Sequence, residues 1–132
     1  MFLNRLKISE KEAFLSLAHH IARADGSFSG EETLMMERYC MEMQMDDVDY
    51  QETEFDLHDV LSKFEVESHK KIVLLELMAL VYADGRLAAQ EETLIAAIIE
   101  YFDLNPMLAI VYREWSKSIM SISLQGEALI NL

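Results

Sequence analysis

At 132 residues, with 52% apolar side chains, one Pro and four Gly, the chain can bury one core and has little of the composition of disordered or β-rich proteins. A formal net charge of −13, from 24 acidic against 11 basic residues, argues against nucleic acid or an anionic membrane as direct partner, since both need clustered Lys and Arg. The lone Cys40 excludes an internal disulfide framework, and no apolar run reaches the ~18 residues of a membrane span. The opening MFLNRLKISEKEAF lacks the apolar core of a secretory signal, so the expectation is a cytoplasmic protein without direct membrane insertion.

In chain order, the spacing predicts an all-α fold of about six to seven helices. Helix one is expected to begin at Ser9, where Ser9 and Glu12 have the spacing of a capping box. Its apolar stripe of Phe14, Leu17, Ala18 and Ile21 runs on to Asp25, with Gly26 as a left-handed cap. Helix two is expected from Gly30 to Met45, capped by Ser29 and Glu32, with Phe28 packing on Thr33 or Leu34 as a hydrophobic staple. Its Met35, Met36, Met41, Met43 and Met45 read as core packing in preference to a copper(I) site, and Cys40 as a small hydrophobe.

An acidic connector covers about 46–67, with a short helix expected from Glu54 to Phe64. Ten acidic residues between Glu42 and Glu67 face only Lys63, which makes this stretch either a solvated face or a docking surface for a basic protein partner. Helix four, from about Ser68 to Asp84, is apolar nearly all round and therefore central. Helix five is expected from Ala89 to Phe102, with Ala88 where a capping Ser would serve better. Asn105 and Pro106 open a last helix to about Ser121, and the tail SLQGEALINL either extends it or packs along the bundle.

A shift of 59 residues lays Asp25 on Asp84, Gly26 on Gly85, Phe28 on Leu87 and Glu32 on Glu91. This predicts one domain over 1–132, with similar helix–turn–helix units at about 10–46 and 68–103. The Asp-Gly turns superficially match part of an EF-hand loop. Its first and third ligand positions, however, fall on Ile21 and Arg23, and on Leu80 and Tyr82, none of which offers a carboxylate. The histidines add little: His19 and His20 are neighbours on a helix and point in different directions. No Glu-x-x-His, His-Glu-x-x-His, phosphate-binding Gly loop or Gly-x-Ser-x-Gly elbow is present.

The doubled pattern Ala-Asp-Gly, one residue, a hydrophobic residue, three residues, then Glu resembles the TerB-like family, over roughly Leu15 to Phe102. That family includes the tellurite-resistance protein TerB and the N-terminal domain of the co-chaperone DjlA. The resemblance implies a helical bundle with pseudo-twofold symmetry and a stress-response association. It also implies a divalent-cation site carried onto Asp25, Glu32, Asp84 and Glu91. Oxygen-only ligands favour Ca²⁺ or Mg²⁺ over Zn²⁺. Against this stands the plainer role of the same residues as helix caps. The function expected is a non-catalytic protein-interaction domain, with homodimerisation one outcome. The alternatives are a metal-dependent hydrolase using the acidic cluster, or a purely structural oligomerising bundle.

Overall fold

The computed structural model describes all residues except Ser27 and residues 84–86. Among the described residues the fold is all-helical, with six α-helices, two single 3-10 turns (Leu3–Arg5 and Glu52–Glu54) and no strand. The helices are α1 Ile8–Ala22, α2 Gly30–Met43, α3 Leu57–Leu61, α4 Glu67–Val81, α5 Ala89–Phe102 and α6 Met107–Ile130.

The first helix starts two residues earlier than the Ser9–Glu12 spacing predicts. Lys7 is the extended residue before the helix, so Glu10 occupies the third helical position. Glu10 Oε1 accepts the Lys7 backbone N–H at 2.7 Å and Glu10 is buried to 1% exposure, whereas Ser9 lies exposed within the first turn. At the other end α1 stops at Ala22, and Asp25 sits exposed in the following turn instead of closing the apolar stripe. Gly26 does take the left-handed conformation, at φ +84°, and its N–H donates to the Arg23 carbonyl at 3.0 Å.

Helix α2 begins with a complete capping box. Ser29 Oγ accepts the Glu32 N–H at 3.0 Å, and Glu32 Oε1 accepts the Ser29 N–H at 3.0 Å. Of the two staple partners expected for Phe28, Thr33 lines the same hollow as the ring, while Leu34 points to solvent. The Phe28 ring lies beneath the Arg23 guanidinium, 4.2 Å from its centroid. The helix ends two residues before Met45, because Gln44 turns left-handed at φ 53°. The helix expected over Glu54–Phe64 is cut to α3 because Asp56 Oδ1 takes the Asp59 N–H at 3.2 Å and fixes a later start.

Helix α4 is the central element. Val73, Leu74, Leu77, Leu80 and Val81 are at most 1% exposed, and the helix packs against α1, α2, α5 and α6. Each such side chain contributes about 1.5–3 kcal/mol by leaving water. Around α4 the core is completed by Phe14, Leu15, Leu17 and Ile21 of α1, Met36, Tyr39 and Met43 of α2, and Ile95, Ile98 and Phe102 of α5. Shifted by 59 residues, the bounds of α1 fall on those of α4, and the bounds of α2 on those of α5. The left-handed residues that follow, Gln44 and Asp103, obey the same shift.

Helix α6 runs past its expected end. Asn105 Oδ1 accepts the Met107 N–H at 3.0 Å and opens it, and nothing stops it at Ser121: the tail continues the helix to Ile130. Its 24 residues span ~36 Å, against ~22 Å for the 15 residues of α4 on which it packs. Past Ile119, Met120 and Ser123, which still line hollows against α2 and α4, α6 therefore outruns the bundle.

Candidate functional site

The residues singled out at the Asp-Gly turns divide by environment. Glu32 and Glu91 are buried, at 5% and 4% exposure, and each holds the backbone N–H that precedes its helix: Ser29 for Glu32, Ala88 for Glu91, both at 3.0 Å. At α5 only this half of the capping box exists, since the Ala88 methyl cannot accept the reciprocal bond. Asp25 stands at the surface of the first turn, and Asp84 lies outside the described residues, as does Gly85. Among the described residues, no three His, Cys, Asp or Glu side chains gather to hold an ion. The donors remain all-oxygen, the chemistry of a hard cation. Such an ion would share Glu32 and Glu91 with the backbone groups that they cap.

No family model, curated protein or solved structure matches this chain. The likeness to the TerB-like family therefore rests on the doubled turn motif itself.

A polar cluster lies elsewhere, around the two histidines for which sequence spacing suggests no role. His19 Nε2 lies 2.8 and 2.9 Å from the two Asp47 carboxylate oxygens, and its Nδ1 lies 3.3 Å from Arg23 Nη2. A guanidinium has only donors, so Nδ1 accepts and Nε2 donates to Asp47. His20 Nδ1 is 2.8 Å from the Tyr50 hydroxyl, and its ring stacks on Phe55 at 3.9 Å. Neighbouring positions on a helix diverge by ~100°, and here the divergence is used: the two rings grip different points of the acidic connector and fasten 47–55 onto α1. Burial lowers the His20 pKa below its ordinary 6.5, against an opposing pull from Glu52.

Beside His19 opens a cavity of about 590 Å³, lined also by Phe28, Met36, Cys40 and Met45. Burial and then the charges of Asp47 and Asp46 push the Cys40 thiol up, away from the thiolate that nucleophilic or metal chemistry needs. Both ring nitrogens of His19 are engaged, so the ring has no atom to offer a substrate proton.

The most open apolar surface is on α6. Two adjoining hollows of about 310 and 270 Å³ lie between α2, α4 and α6, and both are lined by Met35, Arg38, Ala79 and Ile119. Beyond them Ile122, Leu124, Leu129 and Ile130 are 64–79% exposed. Residues 118–132 hold a single charged side chain, Glu127, within a chain of net charge −13. The strength of this signal is invisible to periodicity alone, because an apolar helix reads as core until its length is set against its neighbour's. No helix among the described residues is long and apolar enough to cross a membrane.

Proposed function

We propose that this chain is a non-catalytic protein-interaction domain of the TerB-like kind, and that the second half of α6 is its docking surface. The observation that carries the reading is the row of large aliphatic side chains that α6 holds in water beyond the end of the bundle. Exposed apolar patches of this kind on small proteins mark binding sites more often than they serve stability. The engaged nitrogens of His19 and the raised Cys40 thiol support a binding role over a hydrolytic one.

The stress-response association and the cation site at Asp25, Glu32, Asp84 and Glu91 belong to the same reading and draw on the doubled motif. The coincidence of helix bounds under the 59-residue shift supports an internal repeat. The acidic stretch Glu42–Glu67 offers a second surface, suited to a basic protein.

The test is photo-crosslinking in cells, with a reactive residue at Leu124 and a control at the exposed Glu67. The reading expects discrete protein adducts from position 124 and none of these from position 67. No adduct from 124, or the same pattern from both, would contradict it.

A further inference from the structure

We infer that a second copy of this chain docks on α6, antiparallel, in the register that sets Lys117 of each copy against Glu127 of the other. The inference rests on the reading of α6 as a docking surface and names the occupant of its Met120–Leu124 face. Lys117, Met120, Leu124 and Glu127 follow one another at steps of three, four and three, which places them on one helical face. The row is self-complementary about Ile122. When two such helices run antiparallel and cross at the level of Ile122, which lies on the far side of the helix from this row, Lys117 meets Glu127, Met120 meets Leu124, and both contacts recur on the other side of the axis. That is the isologous geometry of a closed two-fold dimer.

The row is available for the contact. Met120 is 41% exposed and Leu124 65%, and Glu127 is exposed. Lys117 is 56% exposed, and among the described residues it makes a loose pair to Glu114 at 3.9 Å and lies 5.7 Å over the Tyr82 ring. Met120 and Lys117 also line the 270 Å³ hollow, so an aliphatic side chain arriving opposite Met120 has a recess beside it.

Charge selects the occupant. Two copies of a −13 chain repel over most orientations, and residues 118–132, with one charge, are where they approach most easily. A basic partner would be drawn instead to Glu42–Glu67 and would meet Lys117 on α6. The cross-helix pairs then fix the direction of approach, as flanking charges do in coiled coils.

The experiment is sedimentation velocity from micromolar to millimolar protein, on wild type, Lys117→Glu, Glu127→Lys, the double variant, and an equimolar mixture of the two single variants. Wild type is expected to dimerise with rising concentration, and each single variant to self-associate about tenfold or more weakly, through two like-charge contacts. The double variant, and the mixture of one doubly acidic with one doubly basic row, are expected to recover dimers. Met120→Glu with Leu124→Glu is expected to abolish them while leaving the helical circular dichroism intact, since both positions are exposed. A monomer at every concentration, a dimer indifferent to both charge changes, or a mixture no better than its components would overturn the inference. A monomeric chain that still forms adducts of another mass from position 124 would overturn the second copy alone. Loss of all adducts would remove the docking surface as well.

Discussion

Glu10 offers the sharpest test of how this bundle is held together. Its carboxylate is 1% exposed and joins two distant parts of the chain: Oε1 accepts the Lys7 N–H at 2.7 Å, and the two oxygens lie 2.9 and 3.1 Å from His69 Nδ1 at the start of α4. Replacing it by Ala removes a helix cap worth ~1 kcal/mol. It also removes a hydrogen bond from a charged group, worth ~1.5–3 kcal/mol, and leaves a side-chain-sized void. Together these amount to about 3–5 kcal/mol, a large part of the ~5–15 kcal/mol that holds a domain folded. In a domain of this size each kcal/mol moves Tm by about 3–5 °C, so Glu10→Ala is expected to unfold roughly 9–25 °C below wild type. Glu10→Gln keeps one acceptor and is expected to cost about 1–2 kcal/mol. The assay is urea unfolding of Glu10→Ala, His69→Ala and the double variant. A coupling energy of about 1–3 kcal/mol is expected between residues in direct contact. A single-variant cost below about 1 kcal/mol, or additivity within ~0.5 kcal/mol, would refute the reasoning.

Three further outcomes follow from the same geometry. Ala88 has nearly the backbone conformation of Ser29, φ −74° and ψ 153° against −71° and 162°, so Ala88→Ser is expected to complete the second capping box. Thermal unfolding should show a gain of about 0.5–1 kcal/mol. Because burial lowers the His20 pKa below 6.5, the unfolded chain binds more protons as pH falls through that value. Stability contributed by neutral His20 is thus present above pH 6.5 and lost as pH drops through the lowered folded pKa; His20→Gln should flatten the decline in Tm between about pH 7.5 and pH 5.5. Finally, the cation reading predicts saturable backbone amide shifts in the two turns on adding Ca²⁺ or Mg²⁺, abolished in Asp25→Asn with Asp84→Asn. Shifts spread evenly over the acidic connector would reduce Glu32 and Glu91 to helix caps alone.

Much of the fold was legible because its signals are local. The all-helical class and the order of the helices followed from apolar periodicity, and Ser29 with Glu32 marked the start of α2 by capping chemistry alone. The start of α1 was misplaced because Lys7, whose side chain has no acceptor, carries no capping signal, and the contact of Glu10 with His69 lies 59 residues away. The cluster that binds the connector to α1 was missed for the same reason. His19–Asp47 and His20–Tyr50 are 28 and 30 residues apart, and neither pairing has a local spacing to reveal it. The overhang of α6 depends on a comparison of lengths, 24 residues against 15, that exists only once both helices are drawn.

The most direct test of the central claim is hydrogen–deuterium exchange along α6 at concentrations low enough to keep the chain dispersed. The first half, with Ser116 buried and Trp115 partly covered, belongs to the bundle; the second half is predicted to lie outside it. Amides of 119–130 should then exchange at least a hundredfold faster than those of 107–118, because fraying of an uncovered helix costs far less than global opening. Raising the concentration should slow the second half selectively as its surface becomes covered. Equal protection of both halves at high dilution would place 119–130 in the core of the monomer and contradict the account.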